Sequence, residues 1–96
     1  MTRFITGVDY RHPILTAYLK VIAPGPNQAE RRAKKVGTLL KRLLPKEATI
    51  CAPRYKGFDP KKRVDIYEIP VLIGQCEAKA RSVLAQLVLQ GSPTLV

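Results

Sequence analysis

The residues of this chain that could perform acid–base or covalent chemistry are few, and their spacing matches no known catalytic arrangement. A Ser-His-Asp or Cys-His site needs a histidine as its general base, and His12 is the single histidine among the 96 residues. His12 stands between Arg11 and Pro13 in a predicted turn, where positive charge opposes protonation of an imidazole. We therefore expect a solvated turn residue rather than a catalytic base.

The acidic residues are also poorly spaced for catalysis. Asp65 and Glu68 lie three positions apart on a predicted strand, so their side chains point to opposite faces. Asp9 and Asp59 fall near the ends of predicted strands, where turn roles are common. The glycines match no phosphate-binding loop motif. We expect no enzymatic activity and no cofactor.

The two cysteines, Cys51 and Cys76, do not indicate a metal site. The sequence has no CxxC motif, and two thiols with one histidine do not complete a zinc ligand set at motif spacing. We expect both to be small, buried hydrophobic side chains, although a disulfide between the two stays open.

Attraction of a polyanion is the chemistry that the sequence favours, and a helix predicted over residues 27–44 is its main basis. At about 100° per residue, one stripe of this helix is apolar: Ala29, Ala33, Val36, Leu40, Leu43 and Leu44. The opposite stripe is cationic, and Lys46 extends it beyond the helix end: Arg31, Lys34, Lys35, Lys41 and Arg42. Beyond Glu30 this helix has no acidic residue to pair with them. Because like charges at four-residue spacing repel, we expect a polyanion or an acidic protein to meet this face.

A second basic segment follows, in which cations alternate with aromatic rings. The predicted binding residues of this segment are Arg54, Tyr55, Lys56, Phe58, Lys61, Lys62 and Arg63. Cations neutralise phosphates and release counterions, and exposed rings add stacking on single-stranded bases. We expect a basic hairpin that contacts nucleic acid. A charged hairpin tip with Phe58 folded back on the domain is the alternative.

The composition agrees with a cationic binding domain. Lys and Arg number 17 against 7 Asp and Glu, giving a formal charge of +10, above the roughly 2–8 usual for a small domain. Residues 1–96 are predicted to form one domain. The sequence contains no apolar run long enough to cross a bilayer and no leader pattern. We expect no membrane partner and a cytoplasmic location.

The predicted elements place both basic segments on one α+β scaffold. Four strands are predicted by apolar alternation and β-rich composition: Arg3–Tyr10, Ile14–Ala23, Ala48–Tyr55 and Val64–Ile73. A second helix is predicted over Gln75–Gln90, with Gly91 as its C′ residue. Residues Ser92–Val96 are predicted to form a last short strand or a loose tail. Pro53 and Pro70 each favour an edge strand or a bulge.

The expected fold is a two-layer sandwich, with an antiparallel sheet of about four strands and two helices on one face. Two element orders stay open: β-β-α-β-β-α, or a ferredoxin-like β-α-β-β-α-β if the first strand is peripheral. Within the first helix, Asn27 and Glu30 have the spacing of a capping box. Gly37 predicts a close approach between that helix and a strand.

The sequence therefore predicts a non-enzymatic, nucleic-acid-binding protein, for DNA or RNA, that makes mostly phosphate-directed contacts. An adaptor, inhibitor or assembly subunit whose basic face docks on an acidic protein is the alternative. A third possibility is a homodimer. Tyr18 and Tyr67 are predicted to lie on the sheet face away from the helices, where they could form a dimer seam or a stacking platform.

Overall fold

A computed structural model describes residues 3–11 and 16–92 of the chain. Its elements, in order, are β1 (Ile5–Arg11), β2 (Thr16–Ala23), α1 (Pro26–Leu43), β3 (Thr49–Ile50), β4 (Arg54–Asp59), β5 (Val64–Leu72), a short 3₁₀ helix (Gly74–Cys76) and α2 (Glu77–Gln90). The predicted α+β class is confirmed. The turn assigned to His12 and most of the predicted terminal strand or tail at Ser92–Val96 lie outside the described residues.

All strand pairs are antiparallel, and the sheet has five strands rather than about four. The strand order begins β1-β2-β5. Both β3 and β4 pair with the side of β5 that faces away from β2. The first predicted strand therefore pairs with β2 and is not peripheral. The extra strand arises because the segment predicted as one strand, Ala48–Tyr55, is interrupted between β3 and β4, and β4 continues four residues beyond Tyr55.

Two prolines explain the interruption between β3 and β4. The carbonyl of Pro70 accepts a hydrogen bond from the Cys51 N–H at 2.9 Å. Since the N–H and C=O of a strand residue point to the same side, the N–H that Pro70 lacks would also face this edge. Pro53 lies in the interruption itself. Neither proline lies in an edge strand as predicted: Pro53 lies outside the strands, between β3 and β4, and Pro70 lies inside β5, opposite Tyr18 of β2 on one side and the interruption on the other.

Helix α1 begins one residue earlier than predicted and without the predicted capping box. Gly25 is the N-cap residue, with φ 105° and no side-chain cap hydrogen bond, and Pro26 opens the helix. Proline suits this position because its missing N–H has no partner in the first turn of a helix. Asn27 therefore lies inside the helix, and Glu30 forms an ion pair with Lys34 instead, at 3.7 Å.

One cluster of buried side chains joins residues from both helices to residues from the strands. Its members include Val36 and Leu40 of α1 and Leu84 of α2. Leu19 and Ile69 are among its members from the sheet, and all five side chains have no exposed surface. Gly91 ends α2 as predicted, with φ 76° and its N–H bonded to the Leu87 carbonyl at 2.8 Å. The apolar stripe predicted for α1 thus faces inward at its other positions, whereas Leu43 is only half-buried.

Side chains alternate across the strands and define two faces of the sheet. We call the face that carries Leu19, Ile69 and Val71 the helix face, because these residues pack with the helices. The opposite face, which carries Tyr18, Lys20 and Glu68, is called the second face.

The register contradicts the predicted tyrosine pair. Tyr18 is opposite Pro70 on the second face, whereas Tyr67 is opposite Val21, which belongs to the helix-face core. Tyr67 packs against that core as a partly buried side chain. The two rings therefore lie on opposite faces, and they cannot form the shared dimer seam or stacking platform that the sequence suggested.

Candidate polyanion-binding surface

The five cations predicted on the outer side of α1 are all exposed: Arg31, Lys34, Lys35, Lys41 and Arg42. Lys46, which follows the helix in a turn, is exposed as well. We call these six residues the α1 cation face. Lys41 and Arg42 fall in the last helical turn, where the negative end of the helix dipole stabilises positive charge.

Little negative charge compensates the α1 cation face. Among the described residues, its one ion pair joins Lys34 to Glu30, and the Lys34 side chain is still 68 % exposed. A neighbouring cation of the same helix has a structural role instead. Arg32 donates to the Ile22 carbonyl at 3.1 Å and lies 4.6 Å from the centre of the Phe4 ring. Arg32 therefore fixes α1 to the sheet and is not part of the α1 cation face.

The hairpin of β4 and β5 does not present its cations and rings together, as the sequence suggested. Arg54 is opposite Glu68, and Lys56 reaches the same carboxylate at 3.7 Å, so both cations serve the second face. Tyr55 is opposite Tyr67, and Phe58 is opposite Asp65, on the helix face. Alternation along one strand has separated the two kinds of side chain, with an irregularity in register between Tyr55 and Gly57.

Both rings of the hairpin are exposed, Tyr55 by 51 % and Phe58 by 54 %. Phe58 is therefore not folded back as the alternative reading proposed. The predicted cations of the tip, Lys61, Lys62 and Arg63, are exposed too. Asp59 orders this tip by accepting from the Lys61 N–H at 3.0 Å and the Lys62 N–H at 3.4 Å, which is the turn role predicted for it.

On the second face, most cations have partners. Lys20 pairs with Asp9 at 3.4 Å, and Lys56 pairs with Glu68, whose side chain is only 5 % exposed. The guanidinium of Arg11 lies 4.4 Å from the centre of the Tyr18 ring. Lys20 and Lys56 are thus paired with carboxylates and Arg11 contacts a ring, whereas the exposed Arg54 forms no ion pair within the described residues.

Tyr55 is tied to the sheet by a short hydrogen bond. Its hydroxyl donates to Asp65 Oδ1 at 2.6 Å, and its ring centre lies 5.4 Å from that of Tyr67. The hydrogen bond to Asp65 is the main cause that raises the pKa of Tyr55 above its ordinary value. Desolvation, followed by the charge of Glu30, raises the pKa of Tyr67. Both phenols are thus stabilised in their neutral form.

A groove that the sequence did not predict runs between α1 and the interrupted edge of the sheet. It encloses about 430 Å³, and two cations of the α1 cation face stand in its helical wall. The lining residues are Lys34, Gly37, Thr38, Lys41, Ile50, Cys51, Ala52 and Pro53. A Cβ built on Gly37 would meet no atom within 4 Å. Gly37 is buried, but the direction of its missing Cβ points into open space, so the close approach predicted from this glycine is wrong.

Both cysteines are free thiols and half-buried rather than fully buried. Cys51 faces the groove, and Cys76 donates from Sγ to the Ile73 carbonyl at 2.8 Å. Within the residues that the structure describes, no three His, Cys, Asp or Glu side chains come together as a metal site. Over the same residues, no helix is both long and apolar enough to cross a membrane.

Comparison with known proteins adds no relative: no family model, no curated protein and no solved structure matches this chain.

Proposed function

We propose that this protein is a non-enzymatic nucleic-acid-binding domain whose α1 cation face holds the phosphate backbone. The observation that carries the proposal is the concentration of exposed, weakly compensated cations on one helix. Lys34, Lys35, Lys41 and Arg42 lie within nine consecutive residues, on the side of α1 opposite its buried stripe. Each phosphate that such a cation neutralises releases a counterion, which provides affinity without base recognition.

The scaffold suits this role because the inner side of α1 is fully committed to the core. Val36 and Leu40 have no exposed surface, so the helix cannot turn its cations away from solvent without unfolding. We take the domain as two layers, with both helices on the helix face. A polyanion on α1 then meets the layer farthest from the paired charges of the second face.

Of the predicted hairpin cations, only those of the tip are candidates for a second phosphate contact. Lys61, Lys62 and Arg63 are exposed at the turn between β4 and β5. Arg54 and Lys56 face Glu68 on the second face, so a single ligand on α1 is not expected to contact them. The proposed interface is therefore smaller than the sequence suggested.

An acidic protein is the second candidate partner, because it would meet the same charges. A protein–protein patch normally has an apolar centre with a polar rim. The α1 cation face lacks one: the exposed large hydrophobic residues among the described residues are Tyr55, Phe58, Leu72 and Leu89, and none belongs to α1. This distribution favours a nucleic-acid backbone. The two free thiols suit a reducing compartment, which supports a cytoplasmic location.

The test is salt-dependent binding of nuclease-treated protein to labelled single- and double-stranded DNA and RNA of one length. We expect micromolar or tighter binding at about 50 mM salt that weakens steeply towards about 300 mM. Binding that is unchanged over this range contradicts the electrostatic mechanism. No binding to any of the four probes at low salt would transfer the proposal to an acidic protein partner.

A further inference from the structure

The groove between α1 and the broken edge strand gives the proposed interface a feature that phosphate contacts do not require. Its helical wall carries Lys34, Thr38 and Lys41, and the opposite wall is formed by the residues that connect β3 to β4. Lys34 and Lys41 are seven residues apart, or about 10 Å along the helix axis. The positive charges thus stand at two separate points of one groove rather than around a single point.

Packing of the core does not explain why the groove is open. Gly37 is a poor residue for the middle of a helix, and although it is buried, a Cβ at this position would meet no atom within 4 Å, so nothing in the packing requires a glycine. The sequence thus tolerates an unfavourable residue where a larger one would fit. The effect of glycine here is to leave the space between the helix and the edge strand empty.

The opposite wall of the groove is apolar. Ile50, Ala52 and Pro53 supply it, with the Cys51 thiol among them. A phosphate gains nothing from such a wall, whereas the flat ring of a nucleobase buries apolar surface against it. A base can reach the wall only when it is unstacked and unpaired, which is how proteins bind single strands.

The exposed ring of Tyr55 follows Pro53 by two residues and lies on the helix face, the side of the sheet that α1 covers. Its phenol is held in place by Asp65 and its ring contacts Tyr67, so the ring is positioned before any ligand arrives. Preordered aromatic rings are the stacking platforms of single-strand-binding proteins.

From these features we propose that the groove takes an unstacked base of a single-stranded nucleic acid, with the adjacent phosphates on Lys34 and Lys41. The inference rests on the proposed function and narrows it to single strands. Duplex DNA or RNA still binds the outer cations, because this contact needs only phosphates, but its paired bases cannot enter the groove.

The test fills the groove without changing its charge. Gly37→Leu places a side chain in the empty space, and Gly37→Ala is the matched control that adds a single methyl group. The probes are a labelled 12-nucleotide single strand (oligothymidylate or oligouridylate) and a duplex of equal length. For Gly37→Leu we expect about tenfold weaker single-strand binding, with less than twofold change for the duplex and an unchanged salt slope. Gly37→Ala should bind both probes like the native protein.

Alkylation of the two thiols gives an independent readout on the unaltered protein. Bound single strand should slow the reaction of Cys51 with iodoacetamide at least severalfold, and the duplex should slow it much less. The control is Cys76, which lies outside the groove and should react at the same rate with and without the probe. If Gly37→Leu fails to fold, Ala52→Trp fills the groove from its exposed opposite wall instead.

The outcomes separate the two proposals. The base site is overturned if Gly37→Leu weakens single-strand and duplex binding equally, or changes neither. The proposed function still holds in that case, provided that binding by the native protein falls with salt. Native protein that binds neither probe at low salt overturns the proposed function itself. Binding of single strand without protection of Cys51 also contradicts the groove as the site.

Discussion

The α1 cation face and the second face of the sheet both carry several Lys and Arg residues, yet the two regions differ in what those cations contact. On the second face, Lys20 has Asp9 and Lys56 has the buried carboxylate of Glu68. On α1, the ion pair of Lys34 with Glu30 is the single one among the described residues. The number of cations in a region therefore does not identify a polyanion site. The charge that remains uncompensated after folding does.

The hairpin shows the same lesson within one strand. Its sequence alternates cations with rings, which is typical of single-strand binding. The strand places Lys56 beside Glu68 and Tyr55 beside Tyr67, on opposite faces. Cations and rings that are neighbours in the sequence therefore lie on opposite faces of the sheet and cannot all contact one ligand.

The largest expected effect is on nucleic-acid affinity, when four cations are removed from α1 and, as a control, four from the second face. Lys34, Lys35, Lys41 and Arg42 replaced by glutamine should weaken nucleic-acid binding by about 10²–10³-fold near 0.1 M salt and reduce the salt slope by about 3, as for four lost phosphate contacts. The matched control replaces Arg11, Lys20, Arg54 and Lys56 on the second face, and should weaken binding by less than about tenfold. Fluorescence anisotropy measures both, after thermal melts show that both variants fold. Equal losses would remove the distinction between the regions.

Within α1, the inner and outer sides should separate stability from binding. Leu40 has no exposed surface and belongs to the core cluster, so Leu40→Ala should lower the free energy of unfolding by about 2–5 kcal/mol. Denaturant titration measures this loss. At a temperature where the variant is folded, its affinity for nucleic acid should match that of the native protein. A small loss of stability would show that the assignment of the two sides of α1 is incorrect.

The hydrogen bond between Tyr55 and Asp65 should make the stability of the protein sensitive to alkaline pH. Because the hydrogen bond to Asp65 raises the pKa of Tyr55 above 10.0, the neutral phenol is favoured by folding. Its contribution is complete below pH 10 and is lost as the pH rises through the higher pKa of the folded state. Tyr55→Phe should lower the melting temperature at pH 7 and reduce the additional decline above pH 10. Melting curves at several pH values test this, and parallel curves for the two proteins would contradict it.

The smallest effect concerns charge repulsion in the free protein. Arg31 stands three and four residues before Lys34 and Lys35, where like charges destabilise a helix by a few tenths of a kcal/mol per pair. Added salt should therefore raise the melting temperature of the native protein slightly by screening the α1 cation face. The four-glutamine variant of α1 should respond less, whereas the second-face variant should respond at least as much as the native protein. A reversed order would mean that the second face holds the uncompensated charge.

Much of the scaffold could be predicted from local patterns, because these depend on residues that are close in the chain. The apolar period of α1 placed Leu40 inward and Lys41 outward, and Gly91 marked the end of α2. Helix α1 starts one residue before the predicted position, because Pro26 is favoured as a first helical residue and the capping box predicted from Asn27 does not form. The segment predicted as one strand, Ala48–Tyr55, is broken between β3 and β4, and local patterns did not predict the break because it depends on Pro70 in β5.

Local sequence patterns were enough to predict the α+β class, the two sides of α1 and the positive sign of its outer surface. Each follows from side-chain periodicity and formal charge, which need no knowledge of distant contacts. Only the tertiary structure decided which cations keep their charge uncompensated, where Tyr18 and Tyr67 point, and that Gly37 opens a groove. Strand register and the packing of α1 beside the edge of the sheet join residues that are far apart in the chain, and these long-range contacts determine the electrostatics of the surface.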